Sequence, residues 1–161
     1  MSEARAIQTP ERGLDERSLR AAFGRFATGV AFVTADVDGM PLGLIVSSLA
    51  AVSLEPPLLS FCPSRYSVTW QRMRLARRYT IHILARRHGS FARGAASPGA
   101  DRFAEPDAVR DALAAIECDL EAEHRAGDHW IVVGRVRNLR ISADGQPLVY
   151  FAGRFGDFQP H

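Results

Sequence analysis

Paired turn signals between short apolar runs constrain this chain more than any other feature. Asp38-Gly39, Pro56-Pro57, Gly127-Asp128 and Asp144-Gly145 each separate two stretches rich in β-branched and aromatic residues. Asp-Gly and Gly-Asp steps favour the left-handed backbone that tight hairpins require. The runs between them predict strands over 30–35, 42–46, 49–54, 58–62, 79–84, 116–123, 129–141 and 147–152. Neighbours joined by tight turns must pair antiparallel, because parallel strands need a long crossover. In the 116–123 strand, Ile116, Cys118, Leu120 and Ala122 share one face. A doubly wound parallel sheet would need strands and helices in regular alternation, which is missing. The expected fold is mainly β with a few short helices, an antiparallel sheet closing on itself as a small barrel.

Helical periodicity appears in four places. Asp15 can cap a helix whose apolar residues Leu19, Ala22, Phe23, Phe26 and Ala27 carry it to about Thr28, with Gly29 stopping it. Ser67 can cap another, through Leu75. Two more are expected over 86–96 and 106–115. The first 14 residues read as a loose polar tail, and 15–161 as a single domain.

Composition narrows the chemistry. All 20 basic residues are arginine, so lysine Schiff bases, a lysine-dependent phosphate loop and a lysine general base are excluded. A net charge of +2 disfavours a nucleic-acid binder, although eight arginines and no acids lie between Arg65 and Arg93. Cys62 and Cys118 stand far apart with no CxxC or CxxH spacing, and the five histidines show no metal-ligand spacing. No metal is expected, and a reduced, cytoplasmic protein fits the sparse thiols. The longest apolar stretch, near Leu42 to Leu54, is interrupted by three serines and is too short for a bilayer. No membrane partner is expected. His82 alternates with Ile81 and Ile83, which predicts a surface or groove position.

Three segments can carry a site. Ser47, Ser48 and Ser53 place hydroxyls in an apolar β stretch beside Ala50 and Ala51. Their partners are either backbone groups or a flat ligand seated on exposed N–H groups. Cys62-Pro-Ser-Arg-Tyr-Ser67-Val-Thr69 leads from a strand into a helix start, a place for a cap or for a phosphate. His129 begins a strand beside a turn, exposed enough to meet a ligand.

Together these pieces resemble the flavin reductase-like family with the FMN-binding split-barrel fold, the reductases of two-component monooxygenases. The matching pieces, in the family's order, are Phe23-Gly-Arg-Phe-Ala-Thr-Gly29-Val30, Ser47-Ser48 with Ala51-Val52-Ser53-Leu-Glu-Pro-Pro57, and Ser67-Val-Thr69. They continue with Gly127-Asp-His129, Val133-Gly-Arg-Val136 and Pro147-Leu-Val-Tyr150-Phe-Ala-Gly153-Arg154-Phe155. The resemblance implies a split β-barrel homodimer that uses NADH or NADPH to reduce FAD or FMN for a separate oxygenase. It implies flavin contacts from Val46, Ser47, Ser48, Ala51, Val52 and Ser53, a phosphate edge at Cys62, Ser67 and Thr69, and Phe91 against the flavin. It also puts His129 beside the nicotinamide, as the catalytic position, and Arg154 and Phe155 near the same mouth. The family often has Thr where Ile45 stands and Ser where Ala51 stands. Two readings compete with it: a flavoprotein that retains FMN and reduces another acceptor, and a non-enzymatic flavin- or haem-binding protein.

Overall fold

The Asp38-Gly39, Pro56-Pro57 and Gly127-Asp128 signals separate strands as expected, while the short strands Thr28–Gly29 and Arg154–Asp157 were not expected. In the computed structural model, which describes residues 14–97, 110–142 and 145–159, the order is α1 (Glu16–Phe23), β1 (Thr28–Gly29), β2 (Ala31–Val37), β3 (Met40–Val46), β4 (Ala50–Leu54) and β5 (Pro57–Phe61). Then follow α2 (Val68–Met73), β6 (Arg78–Ile83), a 3₁₀ turn (Arg86–His88) and α3 (Gly89–Ala95). The chain ends with β7 (Ala114–Ala126), β8 (His129–Ile141), β9 (Leu148–Phe151) and β10 (Arg154–Asp157). Asp38 and Gly39 both take positive φ, 55° and 79°, as a two-residue hairpin requires. Gly127, at φ 60°, turns β7 into β8.

Seven strands form one antiparallel sheet in the order β3-β2-β6-β7-β8-β5-β4. Strands near opposite ends of this sheet share one core. Leu44 and Val46 of β3 lie in the same buried cluster as Leu59 and Phe61 of β5, with Trp70, Tyr79 and Ile81 between. The sheet therefore curls, but it does not close: β3 and β4 are consecutive in the chain and are not paired. That corrects the expectation of a closed sheet. The chain parts after Val46, and the split is bridged by a side chain instead, with the Cys62 N–H donating to Ser48 Oγ at 2.8 Å. A second sheet, β1-β9-β10, covers a smaller core of Val30, Phe32, Leu84, Phe91, Ala92, Ala95 and Leu148.

Several boundaries differ from the sequence reading. The helix capped by Asp15 stops at Phe23, five residues early. Gly24 caps it by donating to the Arg20 carbonyl and accepting from the Ala152 N–H, and Thr28 is then drawn into pairing with Tyr150. Strand β7 starts at Ala114, because Ala114 and Ala115 pair with Ile141 and Arg140 rather than closing a helix. Strand β10 is an unanticipated addition, and the turn before it needs Ala152 at φ 48°, which alanine rarely adopts. His82 is buried, 4% exposed, because β6 is covered on both faces. The helix expected over 106–115 and the Asp144 turn position fall wholly or partly outside the described residues.

Cys118 sits beneath Gly134, where a Cβ would come within 2.7 Å of its sulfur. Burial pushes the thiol from an ordinary 9.0 up to about 12, with the nearby Asp119 carboxylate adding to the effect. Above pH 9 the unfolded thiol loses its proton while the folded one keeps it. The folded state then binds more protons, so stability falls as pH rises from 9 toward 12. Tyr79 is shifted in the same direction, mainly by burial. Thermal melts of Cys118→Ala should therefore decline less steeply above pH 9 than those of the unmutated protein. Parallel curves would show that the thiol is not shielded.

Candidate active site

The parting of β3 from β4 creates the site. A cleft of about 380 Å³ is lined by Leu44 to Ser47 at the end of β3, by Cys62, Pro63, Ser64 and Ser67 after β5, by Ala95 and Ala96 at the end of α3, and by His129. An adjoining cleft of about 310 Å³ shares Ile45, Ser47 and Ala96 with it and adds Val30, Arg93, Tyr150, Gly153 and Phe155. The two form one elongated groove with an apolar, small-residue floor and hydroxyls at one end.

Backbone pairing fixes the His129 end. Trp130 N–H donates to the Pro63 carbonyl at 3.0 Å, Arg65 N–H donates to the Asp128 carbonyl at 2.9 Å, and Ser64 bridges to His129. The loop after β5 is thus zipped to the start of β8, which carries His129 to Ser64 and Ser67. Asp128 Oδ1 lies 2.8 Å from His129 Nδ1. A carboxylate can only accept, so Nδ1 carries the proton and Nε2 is left for a ligand. The same hydrogen bond holds the Asp128 carboxyl below its ordinary range, helped by the charge of Arg20 on α1.

The structure brings together Val46, Ser47, Cys62, Ser67 and His129 in the first cleft and Phe155 in the second. Ser48 is occupied in bridging the split. Ser67 caps α2 by accepting from Trp70 N–H at 3.2 Å, so its hydroxyl hydrogen remains to be donated. Helix α2 has only six residues, and Thr69 stands half-buried on it, outside the cleft lining. Ala51, Val52 and Ser53 line neither cleft; they lie on the edge strand β4, which among the described residues pairs only with β5. The register skips Val52 between Ala51 and Ser53, a bulge that releases its backbone from the ladder. Arg154 is exposed at the start of β10. Phe91 lines neither cleft: it is buried, edge-on to Phe32 at 5.1 Å, and supports the wall from behind. Arg93, Ala95 and Ala96 were not anticipated. The only trace of the alanines in the sequence is the small-residue run at the end of α3, which lets that helix approach β3 closely.

A groove with an apolar, small-residue floor and hydroxyls at one end suits a planar polycyclic ligand with a phosphate tail. The matched family agrees: the flavin reductase like domain aligns with residues 23–159. The chain belongs to the flavin reductase-like family. Among the relatives of this reductase domain is the reductase subunit HsaB of a flavin-dependent monooxygenase from Rhodococcus jostii, 35% identical over 91% of this chain and 80% of that one. An FMN reductase (NADH), SmoA, from Agrobacterium fabrum is 37% identical over 98% of both chains. The crystal structure of BorF, the flavin reductase component of a bacterial two-component tryptophan halogenase, is 32% identical. It superposes with a TM-score of 0.83 over 91% of this chain and 100% of its own. The NADH:FAD oxidoreductase SgcE6 of Streptomyces globisporus, solved with NAD and FAD fragments, superposes with a TM-score of 0.83 at 29% identity, over 91% and 94% of the two chains. The split barrel expected for a flavin reductase-like chain is therefore the fold observed.

Proposed function

We propose that the chain is an NAD(P)H:flavin oxidoreductase that reduces free FAD or FMN and supplies it to a separate flavin-dependent oxygenase. The observation that carries this reading is the groove formed by the two adjoining clefts, with hydroxyls and His129 at one end. A bound flavin supplies the hydride-accepting chemistry, at N5 of its ring, from C4 of the nicotinamide. The protein has to orient the two rings and exclude water. Ile45, Ser47 and Ala96 form the floor on which a ring can lie. Ser64 and Ser67 offer hydroxyls to a phosphate, with Cys62 beside them. The bulged edge at Val52 presents N–H groups to the polar rim of a ring, and Ala51 and Ser53 flank it. His129, oriented by Asp128, offers Nε2 to the nicotinamide amide. Phe155 borders the other end, with Arg154 beside it in sequence and exposed.

We place the flavin at a homodimer interface. The exposed apolar side chains Phe23 at the end of α1, Phe26 after it, Val52 and Leu54 on β4, and Leu139 and Ile141 on β8 call for cover. Both thiols are free, which suits the reducing cytoplasm. Among the described residues no helix is long and apolar enough to cross a membrane.

Mixing the purified protein with NADH and catalytic amounts of FMN or FAD tests the reading. NADH should be consumed at a rate that saturates with added flavin. A yellow protein whose NADH oxidation ignores added flavin would instead be a flavoprotein acting on another acceptor. A protein whose fluorescence and visible spectrum do not respond to flavin would end the proposal altogether.

A further inference from the structure

Among the described residues that line the groove, Arg93 is the one permanent cation. It stands in the last turn of α3, and among the described residues it makes no ion pair. Its guanidinium instead lies over the Phe155 ring, 5.9 Å from the centroid. Phe155 in turn packs on Tyr150, with ring centroids 5.3 Å apart. The aromatic pair thus holds a charged fork at the mouth without neutralising it. Other arginines of the 65–93 run are spent differently: Arg74, Arg78 and Arg86 each hold a carboxylate.

The hydroxyl-lined cleft and the cleft that holds Arg93 adjoin at the shared floor of Ile45, Ser47 and Ala96. Hydride transfer in the proposed function needs two phosphate-bearing ligands over that floor. The flavin phosphate has Ser64 and Ser67 at its end. Arg65, next to Ser64, lines neither cleft and turns its guanidinium to the Gly127 carbonyl and the Tyr66 ring, so the diphosphate of the hydride donor, with two negative charges, has Arg93 as the cation lining the groove. A guanidinium fork matches phosphate oxygens in pairs and is the strongest such partner a side chain offers.

We propose that Arg93 receives a phosphate group of the pyridine nucleotide and sets the enzyme's hold on that donor. This rests on the flavin reductase reading, so the first measurement is turnover of NADH and FMN by the unmutated protein. Its absence would remove the reading itself and not only the role of Arg93. Given turnover, Arg93→Met keeps an apolar stem on Phe155 and removes the charge. It should raise the KM for NADH about tenfold, with kcat and the KM for FMN within about twofold, because a charge-assisted hydrogen bond is lost from donor binding alone. Inhibition by ADP-ribose, which carries the diphosphate without the nicotinamide, should weaken by the same factor. Arg93→Lys should restore most of both. An unchanged KM for NADH overturns the proposal, as does a KM shift without matching loss of ADP-ribose inhibition. So does a loss confined to FMN and FAD with riboflavin unaffected, which would assign the arginine to the flavin phosphate. Arg93 is exposed, so melting temperatures should not move; Arg93→Gln is the second variant if Met proves insoluble.

Discussion

Truncating Trp70 to alanine should cost about 3–5 kcal/mol of stability, the range seen for large aromatic side chains removed from cores. Trp70 is fully buried on α2. Its ring meets Phe61 edge-on with centroids 5.6 Å apart, and it lies tilted on Tyr79 at 5.6 Å. These three rings join β5, β6 and α2, so the cavity left behind would be walled by residues fixed in strands and unable to collapse. A loss of that size is a large fraction of the 5–15 kcal/mol typical of a domain and should lower the melting temperature by about 10 °C. The same truncation has a functional consequence. Ser67 caps α2 through the Trp70 N–H and lines the groove. Loosening α2 should therefore raise the KM for flavin as well. Differential scanning calorimetry on Trp70→Ala checks the first effect, and a drop of only one or two degrees would mean that α2 contributes little to the core.

Elements spanned by tight two-residue turns were readable from the sequence. Strand β8 spans His129–Ile141, the residues its alternation marks, because Gly127-Asp128 both ends β7 and fixes the register. Positions governed by tertiary pairing were not readable. The apolar periodicity of α1 continues through Phe26 and Ala27, yet the helix yields to Gly24 because the Gly24 carbonyl accepts from Ala152, 128 residues away. Strand β10 follows a turn through Ala152 and Gly153, a pair that does not announce positive φ as Asp-Gly does. Register breaks between Glu117 and Cys118 and between Leu120 and Ala122 interrupt the period-2 pattern of β7, so its apolar face is less regular than its sequence.

The site divides in the same way. Ser47, Cys62, Ser67 and His129 are polar or reactive residues in apolar surroundings, which makes them visible before any fold is known, and the structure gathers them into one cleft. Phe91 carries no such mark. An aromatic on a short helix serves equally well as core or as ligand platform, and here Phe32 takes its face in an edge-on contact. Arg93 was hidden for the opposite reason. It is one of eight arginines in an acid-free run, and only the fold separates it from those that hold carboxylates.

His129→Ala should raise the KM for NADH about tenfold while the KM for flavin stays within about twofold, the size expected when one ligand hydrogen bond of about 1.4 kcal/mol is lost. The substitution is clean because the backbone around it is held independently. Trp130 N–H still donates to Pro63, and Arg65 N–H still donates to Asp128. The imidazole is about half exposed, so the melting temperature should hardly change. Asp128 gives the prediction a second arm. Its carboxylate fixes the Nδ1 proton, so Asp128→Ala keeps the ring but frees its orientation. That variant should show a smaller rise in the KM for NADH than His129→Ala, and the double variant should be no worse than His129→Ala alone, since Asp128 acts only through the ring. Steady-state kinetics with each substrate varied at saturating levels of the other separates the two constants. Equal losses for NADH and flavin would remove His129 from the donor site, and additive losses in the double variant would give Asp128 a ligand contact of its own.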